Sequence, residues 1–198
     1  MIHRLIDSFK RVLLVSLLFA SCSVSAAKIA GENFDDQIRL ADTDLVLNGV
    51  GVRAVLMFKG YAAGLYLKSK GSSLEQVLAV KGAKRIQMKL LLDVDAKEFV
   101  KAIDVGMRRN STEAEYIAIK DRIAAFEHEV GLLGAFKKGD LINLDFIPAQ
   151  GLVVVLNGKT RGEPIPGEDM YAGVMKIFIG ELPVDKKLKA GLLGNPAP

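Results

Sequence analysis

The stretch from Leu45 to Lys68 reads LVLNGVGVRAVLMFKGYAAGLYLK, and it decides the fold. Its β-branched and aromatic runs are bounded by glycines, which is typical of β-strands. We expect a short strand over Leu45–Leu47, a second over Val52–Phe58 and a third over Ala62–Lys68. The glycine-rich piece Asn48–Gly51 is expected to start the second strand, because glycine lets a strand lie close against its neighbour.

Helix start signals follow these strands. A Ser, Thr or Asp with Glu or Gln three residues later is typical of a helix N-terminus. Such pairs predict helices after Ser73, Asp95 and Thr112, and Gly131 ends the third of them. A helix over about 168–179 and a short helix capped by Asp185 are expected near the C-terminus.

Further strands lie between these helices. Ile86–Leu92 is expected to be a strand, and Asp140–Ile147 alternates like a half-buried strand with Asn143 and Asp145 on its outer face. Leu152–Leu156 and the Asn-Gly turn after it predict a hairpin. Strict strand–helix alternation is missing, so we expect an α+β fold with a largely antiparallel sheet and helices on one face.

The composition excludes several classes of site. Among 198 residues the chain has one Cys, two His and no Trp. A zinc site of His and Cys ligands needs three or four such side chains, and removal of residues 1–26 would leave only His128, so we expect no metal. We also expect no cofactor. Gly49, Gly51 and Ala54 fit a G-x-G-x-x-A pattern, but the acid needed about twenty residues later is absent. A dinucleotide site is therefore not expected.

Residues 1–26 have the pattern of a cleaved signal peptide. Arg4, Lys10 and Arg11 precede the apolar run Val12–Ala20, and small residues follow. We expect cleavage after Ala26 or Ala27, a mature domain over residues 27–198 and a periplasmic location. The apolar run is too short to span a bilayer, and no span is expected in the mature chain. Lipidation at Cys22 is the less favoured alternative, because Phe19 fits that signal poorly.

The charge of the mature chain excludes a nucleic-acid partner. The whole chain has a formal net charge of +4. Residues 1–26 contain three basic residues and one acidic residue, so residues 27–198 have a net charge of +2. Its bases are dispersed among acids, whereas a nucleic-acid binder needs a concentrated basic stripe. His128 is the histidine that remains after cleavage. It lies near the C-terminal end of a predicted helix, where the helix dipole favours a positive charge, so it needs no catalytic role.

Arg53 is the candidate functional residue that stands out. It lies in an apolar strand expected to be covered on both faces, where a guanidinium is costly unless it is paired. It could be an internal strut bonded to a core carboxylate. It could instead hold the anionic headgroup of a ligand, since its fork matches carboxylate geometry, and the hydroxyl of nearby Tyr61 could share that headgroup.

Several separated motifs follow one another in a specific order along the chain. They are Leu47–Arg53, Tyr61–Leu67, Ile165–Gly167, Ile179–Pro183 and Leu188–Gly194. In this order they resemble the chalcone isomerase family, in its bacterial secreted branch. The resemblance runs from about residue 45 to 194, and implies an open-faced β-sandwich with a ligand cleft between the large sheet and a layer of helices.

The resemblance also implies where a site would lie. The plant enzymes of the family close a chalcone to a flavanone, and their arginine corresponds to Arg53. Their threonine falls at Tyr61, their tyrosine near Phe99, their asparagine near Gly106 and their second hydroxyl residue near Ile177. Four of the five polar positions therefore differ. A member that keeps the arginine beside a tyrosine resembles the family's non-enzymatic fatty-acid-binding relatives.

We therefore expect a non-catalytic binding protein for a small amphipathic anion, which would be a fatty acid or an aromatic acid. Arg53 and Tyr61 would hold the headgroup, and Phe99, Met107 and Ile177 would line the apolar cleft. An isomerase of the parent chemistry is the alternative function, and a structural protein with Arg53 as a strut is the third.

Overall fold

The computed structural model describes residues 26–55 and 57–195, which form eleven strands and five helices. The strands are β1 Ala26–Ile29, β2 Glu32–Asp35, β3 Gln37–Leu40, β4 Thr43–Val55, β5 Phe58–Leu67, β6 Lys84–Leu90, β7 Val94–Asp95, β8 Ala135–Phe136, β9 Leu141–Ile147, β10 Gly151–Leu156 and β11 Lys159–Ile165. The helices are α1 Leu74–Ala79, α2 Ala96–Arg109, α3 Glu113–Gly131, α4 Glu168–Ile179 and α5 Lys186–Leu192. The predicted signal peptide lies outside the described residues except for Ala26, which begins β1.

Seven strands form one antiparallel sheet in the order β11-β10-β9-β6-β5-β4-β3. Between β6 and β9 the chain leaves the sheet to form α2 and α3. The helices bury one face of the sheet under an apolar core that includes Leu65, Ile86, Ile119 and Val174. On the other face Phe34 of β2 is fully buried within a second, smaller cluster. The predicted α+β class, a large antiparallel sheet with a layer of helices, is confirmed.

Strand β4 is longer at its start than the sequence predicted. Leu45–Leu47 is part of a single 13-residue strand and is not a separate one. The glycine-rich piece does not start a strand but lies in the middle of β4. The strand continues through it because a bulge between Leu47 and Gly49 shifts the register against β5.

Strand β4 also ends earlier than predicted. It stops at Val55, which pairs with Phe58 at the start of β5, so the predicted strand over Val52–Phe58 is wrong at its end. Met57 is 91% exposed and Phe58 is 68% exposed at this hairpin. The expectation that both faces of this segment are covered is therefore wrong beyond Val55.

The predicted helix caps are confirmed. The side chains of Ser73, Asp95, Thr112 and Asp185 each accept a hydrogen bond from a backbone N–H in the first turn of their helix. These bonds satisfy donors that a helix start leaves without a partner. Thr112 and Glu115 form the reciprocal capping box that their spacing predicted.

Strand β9 is buried on both faces, whereas its alternation predicted one exposed face. Asn143 is 4% exposed and Asp145 is 1% exposed. Asp145 is buried because Arg85, its cross-strand partner in β6, donates two hydrogen bonds of 2.6 Å to its carboxylate. Burial raises the pKa of Asp145, although Arg85 acts in the opposite direction.

Helix α5 packs directly on the backbone of β4. A Cβ atom at Gly51 would lie 2.8 Å from the carbonyl oxygen of Leu188, and one at Gly191 would overlap the carbonyl oxygen of Val50. Asn48 closes the same contact, because its side-chain amide donates to the carbonyl of Leu192 at 2.7 Å. The glycines therefore serve close approach, as predicted, but the neighbour is a helix.

No helix within residues 26–55 and 57–195 combines the length and the apolar character that a bilayer span requires.

We predict that Gly191→Ala lowers the free energy of unfolding by about 1–3 kcal/mol, because α5 must move away from β4 to admit the methyl group. Urea denaturation measures the change. Gly60→Ala is the control, since a Cβ there would meet its nearest atom at 3.7 Å. Equal stability of the two variants would contradict the packing described here.

Candidate functional site

Arg53 follows the glycines that face α5. In the ladder between β4 and β5 it lies directly opposite Tyr61, so both side chains emerge on one face of the sheet. Tyr61 belongs to the core shared with the helices, which places the pair on the helix-covered face. A bulge between Arg53 and Ala54 follows, just before β4 ends.

The guanidinium of Arg53 is half-buried and holds no carboxylate within the described ranges. Its Cζ lies 5.9 Å from the centre of the Tyr61 ring, within the range of a cation–π contact. Its Nε is buried and has no hydrogen-bond partner among the described residues, a property that the Nε of Arg161 shares. By contrast, Arg85 and Arg122 each bind a carboxylate through two hydrogen bonds.

Tyr61 supplies a neutral hydroxyl beside this cation. Its side chain is 8% exposed, and burial raises its pKa well above the ordinary value for tyrosine. The charge of Arg53 acts against this rise, and the charge of Asp185 adds to it. The hydroxyl therefore keeps its proton at neutral pH and can donate a hydrogen bond to an anion.

Asp185 is the acid next to the pair, and its oxygens are used by backbone donors. Its Oδ1 accepts from the N–H groups of Lys187 at 2.7 Å and Leu188 at 2.9 Å, which caps α5. Its Oδ2 accepts from the N–H of Ala54 at 3.2 Å, which ties the start of α5 to the end of β4. The sequence predicted the cap but not this second contact, because 131 residues separate its partners.

The three predicted apolar lining residues lie in the helical layer over the sheet. Met107 is fully buried, Ile177 is 3% exposed and both belong to the same core cluster as Tyr61. Phe99 is partly buried, and its ring meets the edge of Phe136 at 5.3 Å. The structure thus brings Arg53 and Tyr61 into contact on the sheet, whereas Phe99, Met107 and Ile177 belong to the helices that pack over it.

Gly106 and Ile177 stand where the resemblance implies polar side chains in the catalytic enzymes. In this structure the two residues are packed against each other. A Cβ atom at Gly106 in α2 would lie 2.9 Å from Cγ2 of Ile177 in α4. The contact between the two helices at this point is therefore apolar and tight. An amide side chain at position 106 would need α2 and α4 to separate.

Comparison with known proteins supplies the family. The model of the chalcone isomerase-like family matches residues 26–194. The chain belongs to the chalcone isomerase-like family. The resemblance read from the separated motifs is confirmed, and the family match extends further toward the N-terminus than those motifs did.

A solved structure shows the fold of this chalcone isomerase-like chain. A crystal structure of a fatty-acid binding protein of Arabidopsis thaliana aligns with a TM-score of 0.64 at 16% identity, covering 86% of this chain and 97% of that chain. At this identity the likeness establishes the fold and not the ligand. No curated protein sequence matches the chain.

We predict that Arg53→Met changes the stability of this chalcone isomerase-like protein by less than about 1 kcal/mol, because no buried carboxylate loses a partner. The matched variant Arg85→Met is expected to cost about 3 kcal/mol, since it leaves Asp145 buried and unpaired. Thermal and urea denaturation measure both. An equally large loss in Arg53→Met would show that Arg53 is an internal strut.

Proposed function

We propose that this protein is a non-catalytic binding protein for a small amphipathic anion, with a long-chain fatty acid as the ligand. The observation that carries the proposal is the half-buried guanidinium of Arg53, whose Nε has no partner among the described residues. Folding removes this nitrogen from water without giving it a hydrogen bond, which costs free energy. A ligand carboxylate would supply the missing acceptor.

Arg53 and Tyr61 together suit a carboxylate headgroup. The guanidinium offers parallel N–H donors, and charge-assisted bonds of this kind are about twice as strong as neutral ones. The neutral hydroxyl of Tyr61 adds a donor without adding a repelling charge. Asp185 does not compete for the guanidinium, because three backbone N–H groups hold its oxygens.

The apolar layer offers a place for the acyl chain. Phe99, Met107 and Ile177 lie between the sheet and the solvent-facing side of the helices. Met107 and Ile177 are packed closely against α4 and α2 respectively, so entry of a chain requires these helices to move apart. Burying a dozen methylenes contributes roughly 10 kcal/mol, from which the costs of association, of chain ordering and of the helix movement are subtracted.

The comparisons support binding over catalysis. The structural neighbour from Arabidopsis thaliana is a fatty-acid binding protein, and it has the same fold. The isomerase alternative needs donors that order water and steady a developing phenolate. Gly106 and Ile177, which stand at two of the positions concerned, have no polar side chain that could supply such a donor.

We also propose that the protein is exported to the periplasm, on the basis of the signal pattern in residues 1–26. We predict that protein recovered from the periplasm begins at Ala27 or Lys28, as determined by N-terminal sequencing. An intact Met1 in the recovered protein would contradict this assignment.

We predict that palmitate binds protein purified without detergent, and that Arg53→Met weakens binding by at least about tenfold. Tyr61→Phe is expected to weaken it by about the same factor through loss of one bond to the anion. Displacement of a dansyl-labelled fatty acid measures the dissociation constants, and methyl palmitate tests the need for the negative charge.

Arg161→Met is the matched control for that experiment. Arg161 is also half-buried and has a buried Nε without a partner, but it lies in β11 at the opposite edge of the sheet. Its replacement should leave palmitate binding unchanged. Equal binding by wild type and Arg53→Met, or equal binding of palmitate and its methyl ester, would contradict the headgroup assignment.

We predict no turnover of naringenin chalcone above the spontaneous rate, because the polar positions of the catalytic relatives are apolar or absent here. Absorbance of the chalcone follows the reaction. Turnover that is lost in Arg53→Met would establish the isomerase function instead.

A further inference from the structure

Lys84 is a second cation on the helix-covered face of the sheet, with a largely buried side chain whose Nζ is not fully enclosed. It opens β6, is 7% exposed and shares its face with Ile86, Met88 and Leu90. Within residues 26–55 and 57–195 its ammonium group has neither an ion-pair nor a hydrogen-bond partner, and its Nζ lies 5.2 Å from the centre of the Phe146 ring. Lysine is rarely buried this far without a carboxylate.

The Lys84 site is distinct from the Arg53 site. Leu90, at the other end of β6, is the residue that pairs with Tyr61. Six residues along a strand span about 20 Å, so the two buried cations lie at opposite ends of the sheet. A ligand in one site does not occupy the other.

A cavity of about 180 Å³ lies at the Lys84 side chain. Its apolar walls come from α1, β9 and α4, through Leu78, Phe146, Tyr171 and Ala172. The phenol of Tyr171 donates to the carbonyl of Leu144 at 3.2 Å, which fixes its ring in the wall. The cavity thus combines one cation with two aromatic rings.

The N-terminus of α4 faces the same cavity. Glu168 and Asp169, which form the first turn of this 12-residue helix, both line the cavity. The cap residue, Gly167, has no side chain that could accept a hydrogen bond from the first turn. The positive end of the helix dipole and the ammonium of Lys84 therefore both favour a negative charge at this point.

One of the two acids of this turn is already paired, and the other opposes an anion in the cavity. Both oxygens of Asp169 accept hydrogen bonds of 2.6 Å from Arg122, so this charge is already paired. Glu168 is exposed and lies beyond ion-pair distance of Lys84. Burial lowers the pKa of Lys84, Glu168 opposes that change and the neighbouring charge of Lys81 adds to it.

We propose that this cavity binds a small carboxylate with an aromatic or flat apolar body. The carboxylate accepts a hydrogen bond from the ammonium of Lys84 and lies at the N-terminus of α4. The rings of Phe146 and Tyr171 lie in contact, with their centres 5.3 Å apart, and the body of the ligand packs against this aromatic wall. The ligand supplies the partner that Lys84 lacks, and the site is independent of the fatty-acid function proposed for Arg53.

Benzoate is the probe, titrated into uniformly ¹⁵N-labelled full-length protein while amide shifts are followed by NMR. We expect saturable shifts at Leu78 and Ala172, and no comparable shifts with neutral benzamide. Lys84→Met is expected to weaken benzoate binding by at least about tenfold, because a charge-assisted bond is lost. Lys81→Met, which removes a neighbouring charge outside the cavity lining, should change affinity by less than about threefold.

Two further measurements separate a ligand site from a structural lysine. Glu168→Gln should strengthen benzoate binding, because it removes the nearby negative charge. Lys84→Met should leave the melting temperature unchanged or higher, since a buried cation without a partner costs stability. A melting temperature lowered in both variants would show that Lys84 and Glu168 form a structural pair.

Other outcomes would also overturn the proposal. These are the absence of saturable shifts at the cavity, equal benzoate binding by wild type and Lys84→Met, and benzoate shifts confined to Arg53 and Tyr61 that vanish in Arg53→Met. The last result would assign benzoate to the Arg53 site while leaving the fatty-acid proposal intact.

Discussion

The backbone contact between α5 and β4 is the constraint on which the site depends. Glycines on both elements let the helix lie on the strand without intervening side chains, and Asn48 bonds the end of the helix to the strand. The helix begins at Asp185, where β4 reaches Arg53 and Ala54. Helix α5 is held against β4 from Leu188 onward, so Arg53 lies beside the start of this helix. There it is directly opposite Tyr61.

Arg53 and Lys84 differ from Asp145 in how their charge is satisfied. Asp145 is more deeply buried than either, yet Arg85 satisfies it within the fold. Arg53, Lys84 and Arg161 have no carboxylate partner among the described residues. Under our proposals one ligand anion pairs with Arg53 and another with Lys84, whereas Arg161 takes part in neither site.

The sequence was sufficient for the fold class, the helix caps and the pairing of Arg53 with Tyr61. Predictions from the sequence were wrong where the bounds of a strand depend on residues that are distant in the chain. Bulges carried β4 through its glycines, and the short strands β1 to β3 have too few alternating residues to be recognised. Lys84 was missed because the strand was expected to begin at Ile86, although the alternation through Met88 and Leu90 places Lys84 on the buried face.

The most direct test is a crystal structure of protein isolated without detergent and soaked with palmitate. The account predicts elongated electron density in the helical layer, ending in a carboxylate at about 2.8 Å from a guanidinium nitrogen of Arg53 and within reach of the Tyr61 hydroxyl. A guanidinium bonded instead to a carboxylate of the protein itself, with no density beside it, would contradict the central claim.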